Sequence, residues 1–400
     1  MKQNLEFGRI LNSEELQELG AILSQCFNMP ASVCQKYSQR LGQDSFRYVR
    51  QANQIVGGLG IYQMGQWFGG KQVAMAGLAA VGVAPEYRGT GIVFELLTQT
   101  LRELYNQGVP ISVLYPATQR PYRKVGYEQG GTFCNFKLPT NSIKLAISEE
   151  AVKEIRSLPM QRVNLIRPEV FYDIYRQQAI KNNGNLERHQ AIWERVIEPE
   201  PNREIYAYLV GNEAQPEGYI IFKQQSENQL SQVVISDWAA LTPAAAKRLW
   251  VFLGDHRSIA QEVLWHGSLN DPFVSLLAEQ TYKIVSCDRW LLRVINVPKA
   301  LAQRGYPVGV EAELHLEVHD ELLPENNGKF ILRVSNGQGE VTQGGSGELK
   351  LNVRGLASLY TSLFTADQLL VTGQIEGSDR ALATASLLFA GSHPWMRDFF

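Results

Sequence analysis

Val81-Gly82-Val83-Ala84-Pro85-Glu86-Tyr87-Arg88-Gly89-Thr90-Gly91-Ile92 is the stretch that decides the fold. An apolar strand runs into it, and Pro85, with no N–H to give a ladder, blocks the continuation of that strand. A glycine-rich turn follows and opens an apolar helix. A helix start of this kind presents several unpaired N–H groups and the positive end of a dipole. Gly89 and Gly91 let the main chain approach a ligand closely. Arg88 adds a guanidinium fork suited to phosphate. If the loop is an anion site, the expected ligand is a pyrophosphate, held by Arg88, Gly89, Thr90, Gly91 and Ile92; the glycines alone fit an ordinary tight strand-to-helix turn equally. The stretch has neither the Gly-Lys-Ser/Thr ending of a P-loop nor the Gly-x-Gly-x-x-Gly of a dinucleotide turn.

Outward from this turn, Lys71–Val83 reads as a strand. Residues 92–107 read as a helix, because Val93, Leu96, Leu97, Thr100, Leu101 and Leu104 recur at helical spacing and Gly108 can close it. Upstream, Ser13 is the expected N-cap of a helix through Leu23, and 46–50 and 54–62 are expected strands. Downstream, 109–115 is a short apolar strand. The polar run 140–150 reads as a linker. A second block, about 145–286, repeats the order of helices, antiparallel strands, a long central strand (230–240) and a helix. Its strand-to-helix junction is Leu241-Thr242-Pro243-Ala244, without glycine or arginine. The reading is a duplicated fold whose second copy has lost the anion loop. The third block, about 287–400, has strands followed by helices. Leu314, Leu316 and Val318 alternate with His315, Glu317 and His319 in a half-buried strand. The fold class is therefore α+β, mixed α/β overall, in three domains: 1–140, 145–286 and 287–400.

Composition bounds the function. At a soft ~150 residues per domain, 400 residues hold two or three domains. With 44% hydrophobic and 20% charged residues the chain is an ordinary globular one, not a disordered tail or a disulfide scaffold. A net charge of −2 argues against a coat for nucleic acid or an anionic membrane. The first 140 residues hold thirteen basic and nine acidic side chains, an excess that suits an anionic ligand. Cys26, Cys34, Cys134 and Cys287 have no zinc spacing and read as separate inert thiols in a reducing cytosol. No apolar signal segment opens the chain, and its longest uncharged apolar stretch, 73–85, is too short to span a bilayer. The first histidine is His189, so a catalytic first domain has no imidazole of its own. His315 and His319 read as a solvated strand face rather than a metal pair. The glycines of 336–347 read as hairpin turns, and Asp237 and Trp238 as structural residues.

The pattern Val-x-Val-x-Pro-x-x-Arg-Gly-x-Gly-Ile resembles the acetyl-CoA loop of the GNAT acetyltransferase superfamily. Tyr122-Arg123-Lys124-Val125-Gly126-Tyr127 resembles that superfamily's Tyr-x-x-x-Gly-Phe/Tyr segment at the active site. The family often has Gly or Ala two residues after the position of Gly91, where this chain has Val93. Over its whole length the chain resembles the Eis-type (enhanced intracellular survival) N-acetyltransferases. The likeness lies in three segments: Arg188-His189-Gln190-Ala191-Ile192-Trp193; Asp288-Arg289-Trp290-Leu291-Leu292-Arg293-Val294-Ile295-Asn296-Val297-Pro298; and the tail Pro394-Trp395-Met396-Arg397-Asp398-Phe399-Phe400. The resemblance implies tandem GNAT folds, the second degenerate, then a sterol-carrier-like domain. It implies an acetyl-CoA-dependent enzyme, without metal, that acetylates an amine such as an aminoglycoside in the cytoplasm and assembles as a homo-oligomer, a trimer or hexamer. By the same resemblance Tyr122 is the general acid and the carboxylate of Phe400 the base. The main chain of Val81 and Val83 meets the thioester. Two other readings stay open at this point: a non-enzymatic lipid or small-ligand carrier on the same scaffold, and a protein Lys acetyltransferase.

Overall fold

The computed structural model of the chain describes residues 5–199, 203–212, 214–227 and 230–400. The chain divides into two compact units. One takes in residues up to Gly131, with Arg289–Ser392 and Phe399–Phe400; the other takes in Thr132–Asp288 and His393–Asp398. The first and third sequence blocks thus share a unit, and the tail changes unit between Asp398 and Phe399.

In the first unit, β1 (Leu5–Arg9), β2 (Phe46–Gln51), β3 (Gln54–Phe68) and β4 (Lys71–Val83) form an antiparallel run in that order. β5 (Ile111–Leu114) joins β4 in parallel, and its other edge pairs antiparallel with Leu291–Val294. Helix α1 (Ser13–Phe27) is capped one residue before the expected Ser13: the Asn12 side chain accepts from the Glu15 N–H at 2.9 Å. The Glu15 carboxylate accepts in turn from the Leu11 N–H at 2.8 Å. α2 (Ala31–Leu41) was not foreseen, because its polar-rich sequence shows only three buried positions, Cys34, Ser38 and Leu41. α3 (Ile92–Asn106) lies where its periodicity puts it, burying Leu96, Leu97, Thr100, Leu101 and Leu104. α4 (Arg120–Lys124) starts with Pro121 in its first turn.

The third block supplies a five-stranded sheet, in the order Gln338–Gln343, Gly328–Ser335, Ala312–His319, Leu349–Asn352, Ile375–Gly377. Leu314, Leu316 and Val318 are buried as the alternation requires. Asn336 and Gly337, both at positive φ, make the two-residue turn of a hairpin in which Ser335 faces Gln338. His315 is held by Glu313 at 2.6 Å and by the Ser346 N–H at 2.8 Å. Among the described residues no three His, Cys, Asp or Glu side chains come together as a metal site.

One buried carboxylate ties α4 to the helix that begins at Val353. Glu128 accepts from Arg123 at 2.6 Å and from Arg354 at 2.5 Å. Burial pushes its carboxyl up, but Arg354, Arg123 and the Gln129 N–H outweigh burial and hold it below the ordinary value of 4.5. A lowered pKa stabilises the fold above that value and is lost as pH falls through the lowered one. Glu128→Gln is expected to flatten the acid side of a stability–pH curve measured by denaturant unfolding. Because the two guanidinium side chains are 39% and 40% exposed, the loss at neutral pH is about 1–2 kcal/mol.

The second unit repeats the plan. Ile205–Asn212, Gln215–Glu227 and the central strand Leu230–Ala240 run antiparallel, and Glu262–Gly267 joins the central strand in parallel. Helix Pro243–Gly254 begins as expected, with the Thr242 hydroxyl accepting from the Ala245 N–H at 3.1 Å. Its core is aromatic: the Trp238 ring meets Trp250 at 5.3 Å, Phe273 at 5.0 Å and Trp265 at 6.2 Å. Cys134 and Cys287 form a disulfide with Cα atoms 4.1 Å apart, which corrects the expectation of four separate thiols. The two cysteines are 153 residues apart in sequence, so no local spacing announces the pair. Cys26 and Cys34 are free thiols. Among the described residues no helix is long and apolar enough to cross a membrane.

Candidate active site

β4 carries the site because it loses its neighbour partway along. β5 pairs with it only from Met75 to Gly77. Beyond that, one extra residue enters β4: Gly58 faces Gly82 but Gly60 faces Ala79, and Ala80 takes a φ of +50°. This is a β-bulge, the device that re-aims a strand. The pairing after the bulge fixes which main-chain groups point where. The Ala84 N–H donates to the Val56 carbonyl at 2.9 Å, so Ala84 and Gly82 turn their polar groups toward β3. Alternation then turns those of Val81 and Val83 the other way, to the side where no strand is paired. The Val83 carbonyl accepts there from Cys26 Sγ at 3.3 Å and from Arg88 Nε at 3.4 Å.

The chain leaves β4 through one short turn of helix, Pro85–Tyr87, and then two glycines at positive φ, Gly89 at +78° and Gly91 at +93°. Gly91 caps α3 with no side-chain acceptor. An added Cβ at either glycine would meet nothing within 4 Å, so the space over the loop is open. A bulky anion fits there against the N–H groups of the first turn of α3. Arg88 is exposed beside it, while the Thr90 hydroxyl donates to the Tyr87 carbonyl at 2.6 Å and is spent within the loop. With one charge-assisted bond lost, Arg88→Ala is expected to raise the Kd for acetyl-CoA about 10- to 100-fold by calorimetry.

Tyr122, on α4, is 8% exposed and belongs to the same apolar cluster as Val83 and Ile92, with Val81 packed against it. Burial pushes its phenol up to about 12, so it holds its proton throughout the neutral range. Its ring stands edge-on to Tyr127, 6.1 Å between centroids. Gly126, at a φ of +90°, turns the chain back so that the Tyr127 N–H reaches the Tyr122 carbonyl. The Ser112 hydroxyl donates to the Ala76 carbonyl at 2.8 Å, so the bond of 2.7 Å between it and Tyr127 takes its proton from the phenol. Tyr127 and Ser112 thus brace the wall behind Tyr122. Ser112 could not be found from the sequence, because its role depends on the register of β5 against β4.

Phe400 lies one step further along the same strand. Its ring sits on Gly77, where an added Cβ would come within 2.6 Å of it. Tyr62 and Tyr115 flank it at 5.6 and 6.0 Å, and it is 8% exposed. Phe399 stacks on Tyr115 at 4.6 Å and stays half exposed. The structure therefore gathers Val81, Val83, Ile92 and Tyr122 into one cluster and docks Phe400 at Gly77 on the same strand. The ring neighbours of Phe400 are Tyr62 and Tyr115 rather than Tyr122. The sequence offered no sign of this aromatic seat.

The second unit shows what closes such a strand. Its central strand also carries an extra residue, since Ile221 faces Asp237 but Phe222 faces Ile235. The Leu241 N–H donates to the Glu217 carbonyl at 2.7 Å. By the same alternation, Ala240 and Trp238 turn their polar groups to the open side, as Val83 and Val81 do in the first unit. There they are already used: the Ala240 N–H donates to Gln178 Oε1 at 3.1 Å, and the Trp238 carbonyl accepts from Arg397 Nη1 at 2.7 Å. The following helix start is capped by Thr242 and loses a donor to Pro243.

Three regions of the chain match known protein families. Residues 8–130 and 184–294 each match an acetyltransferase (GNAT) domain, and residues 297–397 match a sterol carrier protein domain. A GCN5-related N-acetyltransferase from Anabaena variabilis is 48% identical, with a TM-score of 0.95 over 99% of this chain and 100% of that one. One from Kribbella flavida is 27% identical, with a TM-score of 0.85 over 100% and 99%. The N-acetyltransferase Eis of Mycobacterium tuberculosis (strain ATCC 25177 / H37Ra) is 26% identical over 324 residues, 77% of this chain and 75% of that one.

Proposed function

Because the chain belongs to the GCN5-related N-acetyltransferase family, as an N-acetyltransferase of Eis type, we propose that it moves the acetyl group of acetyl-CoA to a primary amine of an aminoglycoside or similar polyamine. The observation that carries this reading is the contrast between the two central strands. Val81 and Val83 turn main-chain groups to an edge without a partner strand, above an open glycine loop, whereas the second copy caps the matching groups with its own side chains.

The roles follow from what aminolysis of a thioester needs. The donor supplies an activated acetyl carbonyl when bound. Arg88, Gly89, Thr90, Gly91 and Ile92 hold its pyrophosphate. The N–H groups of Val81 and Val83 polarise the carbonyl, as oxyanion-hole donors do. The acceptor must be a free amine, and an alkylammonium titrates near ~10, so a base is required at neutral pH. The carboxylate of Phe400 takes that proton, through water, and Tyr122 gives its phenolic proton to the departing thiolate. No metal is needed for these steps. We place the enzyme in the cytoplasm and assign it a homo-oligomeric state, a trimer or hexamer. Its domains are 1–140, 145–286 and 287–400, with neither nucleic acid nor membrane as partner.

The test is direct. Acetyl-CoA is mixed with a panel of aminoglycosides and polyamines, and released CoA is followed with a thiol reagent. Release that depends on the amine is expected. No release with any amine, together with no acetyl-CoA binding by calorimetry, would overturn the reading.

A further inference from the structure

Within the first unit, α4 and the third sequence block wall a cavity that has no part in the chemistry above. The cavity holds about 610 Å³, a space that suits a small metabolite rather than a bare ion. α4 contributes Arg120, Arg123 and Lys124 to its lining. The connection after the strand Ala312–His319 contributes Asp320 and Glu321, and the helix that begins at Val353 contributes Arg354.

The charges of this lining do not balance. Arg123 and Arg354 share a single carboxylate, because each gives both its Nε and its Nη2 to Glu128. Arg120 and Lys124 are exposed on α4, one turn apart. Among the described residues no carboxylate pairs with either of them. Asp320 has nothing left to offer: its side chain is 1% exposed, Arg293 Nη2 meets its two oxygens at 2.8 and 2.7 Å, and Asn326 Nδ2 donates to it at 2.8 Å. Four cations therefore face two carboxylates, Glu128 and Glu321, and an excess of two positive charges remains.

Two of the cations are also held in place. The Glu128 side chain is 4% exposed and grips each guanidinium along its Nε–Nη2 edge. Among the described residues the Nη1 groups of Arg123 and Arg354 have no acceptor. A planar fork fixed in this way loses little side-chain freedom when it meets a phosphate oxygen.

We propose that this cavity binds a small phosphorylated metabolite, with Arg120, Arg123, Lys124 and Arg354 as the groups that hold its phosphate. The excess of two charges matches a phosphate monoester, which carries about −1.5 to −2 at pH 7. Its three free oxygens suit cations that arrive from separate segments, and the rest of the cavity takes the remainder of the molecule. The proposal stands apart from the acetyl-transfer reading. It makes the third block one wall of a ligand site whose other wall is the helix of Tyr122.

Inorganic pyrophosphate is the probe, because it carries the same oxygens with more charge. Full-length protein is titrated with it by calorimetry, alone and saturated with CoA, so that the glycine loop is filled in the second case. The variants are the double substitution Arg120→Gln with Lys124→Gln, then Arg88→Ala, and Arg380→Gln as a charge-matched control on another helix, where the arginine is 84% exposed. Thermal unfolding confirms that each folds. The CoA-saturated protein is expected to bind pyrophosphate, with a Kd raised at least about 10-fold by the double substitution and unchanged by Arg380→Gln. Binding that CoA abolishes, and that the double substitution weakens while Arg88→Ala does not, also supports the phosphate site and identifies a phosphate of the cofactor as its occupant. Binding that Arg88→Ala removes and the double substitution leaves intact belongs to the glycine loop and overturns the proposal. No binding to wild type at about 10 mM pyrophosphate, where even a weak millimolar site fills, overturns it as well.

Discussion

Tyr122→Phe is expected to lower kcat by about 10²–10³-fold and to leave the Kd for acetyl-CoA unchanged, because removal of a general acid costs about 10²–10⁴-fold. The substitution deletes one oxygen from a side chain that is 8% exposed and keeps the ring against Tyr127. The apolar cluster that holds Val83, Ile92 and Tyr122 together is thus retained, and a loss of rate reports chemistry rather than packing. The pH profile adds a second check. Burial moves the Tyr122 phenol from 10.0 up to about 12. The acid form persists across the neutral range, so no alkaline limb from this group appears below about pH 12. A raised pKa also means that the stability gained by burying the neutral phenol is complete below 10.0 and is lost as pH rises through about 12. Activity measured from pH 6 to 10 is expected to rise with pH as the amine deprotonates, with no fall within that range. A fall with a midpoint near 8 or 9 would assign the acid to another group.

The second large effect concerns Phe400. Its ring fills the space over Gly77 between Tyr62 and Tyr115. Deleting Phe399 and Phe400 removes both the ring and the carboxylate, and loss of a buried Phe side chain alone costs about 3–5 kcal/mol. Deletion is therefore expected to lower Tm as well as rate. Lengthening the chain by one glycine separates the two, since the ring keeps its seat while the carboxylate moves about 3.5 Å along the chain. The lengthened enzyme is expected to bind acetyl-CoA normally, to melt at the wild-type temperature and to lose about 10²-fold in kcat. Full turnover would remove the carboxylate from the mechanism.

The parts of this molecule that were legible in the sequence are those whose signal is local. The glycine loop, the helix behind it, the Thr242-Pro243 cap and the alternation of Leu314, Leu316 and Val318 each lie within one turn or one strand of their cause. Tyr122 was reachable only through the resemblance of Tyr122-Arg123-Lys124-Val125-Gly126-Tyr127 to the superfamily's Tyr-x-x-x-Gly-Phe/Tyr segment. What stayed hidden depends on register and on long loops. The bulge at Ala80, which opens the edge at Val81 and Val83, shows only when β3 and β4 are laid side by side. Ser112 under Tyr127, Tyr62 and Tyr115 around Phe400, and the pairing of Cys134 with Cys287 all require distant segments to meet. α2 hides because a helix with three buried residues hardly differs from a polar loop in composition. The charges of Arg188 and Asp237 gave no hint of burial, since neither is near its partner in the chain.

The central claim is that only the first central strand offers an open edge and phosphate loop to a thioester. Calorimetric titration of the protein with acetyl-CoA tests this most directly. One site per chain is predicted, abolished by replacing Gly91 with valine at its positive φ and unchanged by Gln178→Ala, which uncovers the Ala240 N–H of the second copy. Two sites per chain, or a single site that survives the Gly91 substitution at full affinity, would contradict the account.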